Sequence, residues 1–192
     1  MMDATDILNN FIIEEKKKIY LICGPSGCGK STKAKQLSNI IPDVKHFEND
    51  NHCIDENGMY KFDSTKVDEN RLKTQDQVRF SMLKNDIIIV SNTFTNLEEL
   101  EPYYKLAFEN NYEVIQIYPE DISSEENPIW INNNFNVDLI LSRRMNKDKT
   151  GKVLPEAVIR HQIEQYNKNS IEIKLTESKY KKCRIQNGRN LV

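Results

Sequence analysis

Residues Gly24 to Ser31 read GPSGCGKS and match the phosphate-binding pattern GxxxxGKS. A short apolar, β-prone run over 19–23 comes before them, and a plausible helix over 32–39 follows. The motif requires this order of strand, loop and helix, because backbone N–H groups and a helix N-terminus then face the phosphates. Glycines allow the backbone to approach the phosphates closely. The motif therefore predicts that the chain binds a nucleoside triphosphate.

Two side chains of the motif have predicted tasks of their own. Lys30 is expected to reach the β- and γ-phosphates as a catalytic residue, and the Ser31 hydroxyl is expected to be a ligand of Mg²⁺. The predicted cofactors are therefore ATP and Mg²⁺. The residues of this region predicted to contact the nucleotide are Gly24, Pro25, Ser26, Gly27, Cys28, Gly29, Lys30, Ser31 and Thr32.

Strand-like and helix-like segments alternate along the rest of the chain. Further strands are predicted over 44–48, 87–90 and 112–118, and helices over 64–84, 96–110, 137–145 and from Pro155 to about Asn169. The helix over 64–84 is expected to have Val67, Leu72, Val78 and Leu83 on its less polar side, with Phe80 and Met82 nearby. The alternation over 171–175 predicts a last strand. This order predicts an α/β fold, a P-loop NTPase three-layer sandwich with a central parallel sheet and a helical lid.

Composition and charge limit the classes of function. The 192 residues fit one domain, and a net charge of −2 gives no overall argument for nucleic-acid binding. The four cysteines have neither zinc-ligand spacing nor a disulfide framework, so we expect a reducing, cytoplasmic environment. No apolar stretch is long enough to span a membrane, and we expect no membrane partner.

In a parallel sheet, ligands bind beyond the C-terminal ends of the strands, so residues just after each strand are candidates for chemistry. Asp50 follows the second predicted strand, where a carboxylate would lie across the cleft from the γ-phosphate. It is the candidate general base, since a hydroxyl is a poor nucleophile until a proton acceptor is within reach. Capping of a turn fits the position of Asp50 equally well. Ser91 stands where many P-loop NTPases have an aspartate that holds Mg²⁺.

Basic side chains cluster before Pro155, on the helix over 137–145 and the loop over 146–154, which together we call the lid. They are Arg143, Arg144, Lys147, Lys149 and Lys152. Phosphoryl transfer spreads negative charge over the equatorial oxygens, and the planar guanidinium of arginine is suited to meet it. A lid closing over the triphosphate would supply this charge and exclude water. A solvated basic loop would have the same composition.

Other aromatic and histidine residues give weaker signals. Trp130, Tyr103 and Tyr104 could stack on bases, although aromatic residues at such positions more often belong to the core. Three histidines lack the spacing of metal ligands and are assigned no role: His46, His52 and His161.

Taken together, these segments resemble the P-loop kinases grouped with polynucleotide 5′-hydroxyl kinase, which include the kinase domain of the phage enzyme and related AAA-type P-loop proteins. The resemblance covers about residues 19–166. It is carried by the loop over 24–31, the acidic stretch over 48–51, the segments over 88–93 and 107–114, and the arginine-bearing helix before Pro155.

The resemblance implies ATP-dependent transfer of the γ-phosphate to a hydroxyl, commonly the 5′-hydroxyl of an RNA or DNA end. It implies Asp50 as the base and Arg144 or Arg143 as the lid arginine. Cys53 stands where the phage enzyme has an arginine that holds the acceptor's phosphate. Lys147 or Lys149 stands near its second lid arginine, and lysine keeps the charge but loses the bidentate fork. Arg143, Lys147 and Lys149 complete the predicted nucleotide contacts.

The predicted organisation has three parts: an N-terminal helix over 1–18, a P-loop kinase domain over 19–170 and a basic C-terminal segment over 171–192. The basic segment is either a solvated surface or a contact for a nucleic-acid backbone. A nucleic-acid 5′ end is the expected acceptor. A nucleoside, a modified base or another small molecule is an alternative acceptor, and an ATP-binding switch or adaptor without kinase activity is a third possibility.

Overall fold

The computed structural model of the chain describes residues 17–145 and 151–188, with side chains described for 17–144 and 151–175. The N-terminal helix predicted over 1–18 therefore falls almost entirely outside the described residues, and Lys147 and Lys149 of the lid fall outside them as well. Among the described residues, no helix combines the length and the apolar composition needed to cross a bilayer.

A parallel sheet of four strands forms the centre of the fold, in the order β2-β3-β1-β4. Ile88, Ile89 and Val90 in β3 are fully buried, as expected for a strand that is covered on both faces. The central strand β1 pairs with β3 and with β4 along its whole length. The four strands are β1 (Lys18–Ile22), β2 (Lys45–Phe47), β3 (Ile87–Ser91) and β4 (Glu113–Ile117). The predicted α/β fold with a central parallel sheet is confirmed.

Helices cover the sheet, and each of those predicted over 64–84, 96–110 and 137–145 is present with slightly different bounds. The described helices are α1 (Lys30–Ile40), α2 (Val67–Met82), α3 (Leu97–Glu109), α4 (Pro119–Ile122), α5 (Val137–Met145) and α6 (Glu156–Gly188). Short 3₁₀ helices lie at Asn49–Cys53 and Ser64–Lys66, and β5 (Trp130–Ile131) pairs antiparallel with β6 (Asn134–Phe135). The Asn96 side chain accepts a hydrogen bond from the Glu99 N–H and caps α3.

The strand predicted over 171–175 is wrong, because α6 continues through these residues. The buried residues of this helix, Ile159, Ile163, Tyr166 and Ile173, recur at helical spacing. Ile171 and Leu175, which suggested the alternation of a strand, are exposed on either side of Ile173. Helix α6 also crosses the domain boundary predicted at residue 170, and the division of the chain into three parts stays a prediction.

The less polar side predicted for α2 is confirmed only in part: Val78 and Met82 are buried, whereas Leu72, Phe80 and Leu83 are exposed. The face that packs against the protein instead contains residues four positions apart: Asn70, Thr74, Val78 and Met82. Its polar members bind the 3₁₀ turn after β2. Asn70 donates to Cys53 Sγ at 3.6 Å, and Thr74 Oγ1 lies 3.1 Å from His52 Nε2. The inward face of α2 therefore combines two apolar core residues with two polar residues that contact this turn.

Three aromatic residues considered for base stacking pack inside the protein or against it. Tyr103 and Tyr104 are buried, and Tyr104 donates to Gln116 Oε1 at 2.6 Å. Trp130 packs edge-on against Phe135 with ring centroids 4.7 Å apart. These contacts give the three rings a structural role.

Candidate active site

The phosphate-binding loop has a backbone that demands glycine. Gly24 and Gly27 have φ values of 132° and 92°, which side-chain-bearing residues rarely adopt. A Cβ on Gly27 would lie 2.9 Å from Arg144 Cγ and 3.0 Å from the Ile140 carbonyl oxygen of α5. The lid helix α5 therefore packs directly on this loop, and a glycine is needed for the approach.

Backbone hydrogen bonds hold the start of the loop at the C-terminal edge of the sheet. The Gly24 N–H donates to the Thr93 carbonyl after β3, and the Cys23 N–H donates to the Ile117 carbonyl of β4, both at 2.9 Å. The loop is thus anchored to both neighbours of β1. The N-terminus of α1 follows it directly, as anion binding at a helix start requires.

The Lys30 ammonium lies over the loop. Its Nζ donates to the carbonyl oxygens of Gly24 at 2.9 Å and Pro25 at 3.0 Å. An ammonium has three donors, so one of them remains for a phosphate oxygen after these two contacts. Lys30 is placed where it can add a positive charge to the backbone N–H groups of the loop.

The remaining loop side chains lie on different sides of the backbone. Cys28 is fully buried beneath the loop, and burial raises the pKa of its thiol despite the nearby Lys30. This thiol is therefore protonated and packs as a small apolar group. Ser26 is almost buried, whereas Thr32 in the first turn of α1 is exposed.

A contact that sequence reasoning missed joins the loop to α6. The Ser26 N–H donates to Gln162 Oε1 at 2.9 Å, across 136 residues of sequence. One turn further along α6, the buried Tyr166 packs edge-on against Phe135. A glutamine in the middle of a helix carries no local signal of such a role.

A cavity of about 590 Å³ lies beside the loop and takes in the lid arginines. Arg143 donates from Nη1 to Asn127 Oδ1 at 2.6 Å, so the lid contacts the segment after α4. The Arg144 side chain lies against Gly27. The structure thus brings both arginines to the loop. The residues that line this cavity include Lys30, Ser31, Asn127, Arg143 and Arg144.

Glu48 is the main site residue that sequence reasoning did not single out. Its carboxylate accepts a hydrogen bond from the Ser91 hydroxyl, and His46 Nε2 lies 3.2 Å from Glu48 Oε1 and 2.7 Å from Ser91 Oγ. Burial alone would raise the pKa of Glu48, but hydrogen bonds from His46, Ser91 and Ser31 outweigh it and lower the pKa to about 2. Glu48 is therefore an ionised carboxylate beside Ser31, and its side chain is only 15% exposed.

Strand register explains how Glu48 comes to this place. Phe47 in β2 pairs with Val90 in β3, so the next residues along the two strands, Glu48 and Ser91, are neighbours. His46 and Glu48 are two positions apart and share one face of the strand. Ser91 has no charge where many P-loop NTPases have an aspartate, and Glu48, at the end of the adjacent strand, supplies a negative charge at the same place. Glu48 could have been identified from the sequence by pairing the two predicted strands β2 and β3 in parallel.

Asp50 lies two residues further on, in the 3₁₀ turn after β2, and its surroundings differ from those of Glu48. Its side chain is 51% exposed. Oδ1 accepts a hydrogen bond from the Tyr60 hydroxyl at 3.1 Å, and Oδ2 forms an ion pair with Lys152. Lys152 Nζ also lies 4.6 Å from the centroid of the Tyr60 ring. Tyr60 and Lys152 thus hold the Asp50 carboxylate, which stays accessible to solvent.

Cys53 is next to this group. Burial, followed by the negative charge of Asp50, raises the pKa of the Cys53 thiol, which is therefore protonated at neutral pH. Lys152 is among the charges that act on this thiol. A lid cation, Lys152, thus lies near Cys53.

Oxygen donors near the loop are suited to Mg²⁺. The Ser31 hydroxyl and the ionised Glu48 carboxylate are hard ligands of the kind that Mg²⁺ takes together with substrate phosphates and water. Among the described residues, no group of three or more His, Cys, Asp and Glu side chains could hold a metal ion. A magnesium site built from two protein oxygens and phosphates needs no such group.

Comparisons with known proteins agree with this fold. A family model described as the Rad17 P-loop domain matches residues 2–150. Among solved structures, a chain of the Pnkp1/Rnl/Hen1 RNA repair complex is similar with a TM-score of 0.63 and 16% identity, over 85% of this chain and 48% of that one. This chain therefore spans about half the length of its match.

Two further solved structures have lower TM-scores. A tunicamycin resistance protein from Deinococcus radiodurans has a TM-score of 0.49 and 13% identity, over 79% of this chain and 80% of that one. A shikimate kinase from Acinetobacter baumannii, in complex with shikimate, has a TM-score of 0.46 and 15% identity, over 81% and 80% of the two chains. The family match and the RNA repair structure place this chain among P-loop NTPases.

Proposed function

The chain belongs to the Rad17 P-loop domain family, and from the geometry of its site we propose that it is a kinase, which transfers the γ-phosphate of ATP to the 5′-hydroxyl of a nucleic-acid end. One observation carries the proposal. Two carboxylates follow β2 within three residues, Glu48 mostly buried beside Ser31 and Asp50 half-exposed in the next turn. A phosphotransferase needs a fixed charge at its metal site and an accessible base for the acceptor, and these two residues fit the two needs.

In this proposal the cavity beside the loop is the donor site. The loop N–H groups and Lys30 bind the β- and γ-phosphates, and Ser31 with Glu48 would hold Mg²⁺. Mg²⁺, when bound, supplies positive charge to the phosphates. Arg143 and Arg144 line the same cavity, where a guanidinium can meet the charge that develops on the transferred phosphoryl group.

On the acceptor side, Asp50 takes the proton of the hydroxyl. The hydroxyl oxygen forms a bond to the γ-phosphorus while the bond from that phosphorus to the bridging oxygen of ADP breaks. The proton moves to the Asp50 carboxylate and then to water. Because the Asp50 side chain is 51% exposed, an acceptor can reach it without moving the core.

One observation favours a nucleic-acid end as the acceptor. The similar chain in the RNA repair complex shares the fold over 85% of this chain.

An acceptor screen tests this function. Purified protein is incubated with γ-labelled ATP and either 5′-hydroxyl oligonucleotides or free nucleosides. We expect label on oligonucleotides, with losses of about 10²–10⁴-fold in Asp50→Asn and a comparable loss in Lys30→Ala. Label on nucleosides alone would indicate a small-molecule kinase instead.

A nucleotide-dependent switch is the second candidate, and the contact between Ser26 and Gln162 favours it. This hydrogen bond connects the loop to the 33-residue helix α6, so ATP in the loop could bias the position of the helix. Hydrogen exchange of α6 that changes with ATP, together with no transfer to any acceptor, would support the switch. Transfer with unchanged exchange would reject it.

A further inference from the structure

Lys152 is unusual because a lysine is rarely buried without a specific partner. Its side chain is only 7% exposed, and the ammonium forms an ion pair with Asp50, which lies 102 residues away in the sequence. The ammonium also lies 4.6 Å from the centroid of the Tyr60 ring, within range of a cation–π interaction. Lys152 therefore has a defined position at the acceptor side.

Both oxygens of Asp50 are held. Burial and the negative charge of Asp50 raise the pKa of Tyr60, so its hydroxyl stays protonated and donates to Oδ1 at 3.1 Å. Lys152 holds Oδ2. Two contacts on different oxygens fix the rotation of the carboxylate, and each oxygen keeps further lone-pair capacity for an acceptor hydroxyl.

The backbone next to Lys152 contacts both sides of the active site. Gly151 has a φ of 76°, and a Cβ there would lie 2.9 Å from Met59 Cε, so the chain passes close to the segment that carries Tyr60. The Leu154 N–H donates to the Arg144 carbonyl at 3.3 Å. The segment over 151–154 therefore contacts the acceptor side while it is hydrogen-bonded to the lid helix that lines the donor cavity.

We propose that Lys152 is a positioning residue which, with Tyr60, orients the base Asp50 when the segment over 151–154 is docked on the acceptor side. This role rests on the proposed kinase function. Through this segment Asp50 is linked to the lid helix α5, so that Asp50 has its working orientation when Arg143 and Arg144 are at the phosphates. Positioning of this kind contributes to kcat, because a base must be aligned when the proton moves.

Substitution of Lys152 separates this role from donor binding. Lys152→Met keeps the apolar stem and removes the ammonium, and Lys152→Arg keeps a positive charge. We expect Lys152→Met to lower kcat about 10–100-fold with little change in KM for ATP, since the donor loop is held separately. Lys152→Arg should recover much of the loss. Lys105→Met, on the exposed side of α3, is the matched control and should keep full activity.

Tyr60→Phe provides a second variant that removes the hydrogen bond to Oδ1 and leaves the ring under the ammonium. We expect a smaller fall in kcat, about 3–10-fold, because one of two contacts remains. Thermal unfolding of every variant verifies that the fold is intact.

The alkylation rate of Cys53 gives a readout that does not depend on catalysis. Lys152 lowers the pKa of the Cys53 thiol and Asp50 raises it, so loss of the ammonium in Lys152→Met should raise this pKa, reduce the reactive thiolate and slow alkylation by iodoacetamide several-fold, as measured by mass spectrometry of the Cys53 peptide. No transfer to any acceptor by the wild type would overturn the proposed function. Unchanged Cys53 alkylation, or an unchanged kcat in an active enzyme, would overturn the role of Lys152.

Discussion

The donor and acceptor sides of this site are held by different kinds of interaction. Backbone hydrogen bonds to the Thr93 and Ile117 carbonyls anchor the start of the phosphate-binding loop. Side chains hold the turn after β2: Tyr60 and Lys152 bind Asp50, and the Asn92 side chain accepts from the Asn49 N–H at 2.9 Å. A backbone-held site tolerates changes of side chain but not of backbone conformation. A site held by side chains can change its substrate through single substitutions.

The first prediction tests the backbone dependence of the donor side. Gly27→Ala should weaken ATP binding about 100-fold or more, because the added methyl group meets Arg144 and the Ile140 carbonyl, and a shifted loop loses charge-assisted hydrogen bonds to phosphate. Calorimetric titration with ATP measures the affinity.

Gly58→Ala is the matched control for this prediction. Gly58 also has a positive φ of 76°, but a Cβ there would have no heavy atom of the described residues within 4 Å. It should cost about 1 kcal/mol of stability and leave ATP affinity unchanged. Equal losses of ATP affinity in Gly27→Ala and Gly58→Ala would show that the donor side does not depend specially on the backbone of the phosphate-binding loop.

The second prediction concerns the stability provided by Glu48. Its pKa is about 2, below the ordinary value of 4.5, so the stabilising contribution is present above pH 4.5 and is lost as the pH falls toward 2. Between these values the wild type should lose roughly 3 kcal/mol of stability relative to Glu48→Gln. Urea unfolding at a series of pH values measures the difference. A difference that stays constant from pH 5 to about pH 2.5 would mean that Glu48 is not specially stabilised as an anion.

The third and smallest effect concerns the link between the loop and α6. A carboxylate in Gln162→Glu can still accept the hydrogen bond from Ser26 but adds a negative charge near the phosphates, so ATP affinity should fall about tenfold. Asn167→Asp places the same charge on the exposed face of α6 and should bind ATP as the wild type does. Equal affinities in the two variants would show that Gln162 is remote from the nucleotide.

The parts of this molecule that were predictable from sequence are those encoded by neighbouring residues. The phosphate-binding motif spans eight consecutive positions, Gly24 to Ser31, and the run over 87–90 marks a buried parallel strand by its composition. Local patterns of this kind predicted the α/β fold and the donor loop.

The unpredicted parts depend on contacts between distant segments. Glu48 meets Ser91 through the register of β2 with β3, and Lys152 meets Asp50 across 102 residues. Over 171–175 the helix α6 continues, and Ile173 is buried on the same face as Ile159, Ile163 and Tyr166, which the short-range alternation did not reveal. On α2, the contacts of Asn70 and Thr74 with the turn after β2 put two polar residues on the buried face beside Val78 and Met82. Pairing and packing at long range carry no signal in a local window.

The most direct test of the central claim, that Glu48 serves the metal and Asp50 serves the acceptor, is the Mg²⁺ dependence of γ-phosphate transfer in Glu48→Gln and Asp50→Asn. Glu48→Gln should need much more Mg²⁺, about 10–100-fold, because an anionic ligand is lost. Asp50→Asn should keep the wild-type Mg²⁺ requirement while its maximal rate falls about 10²–10⁴-fold. Equal shifts of the Mg²⁺ requirement in both variants, or a full rate in Asp50→Asn, would contradict the account.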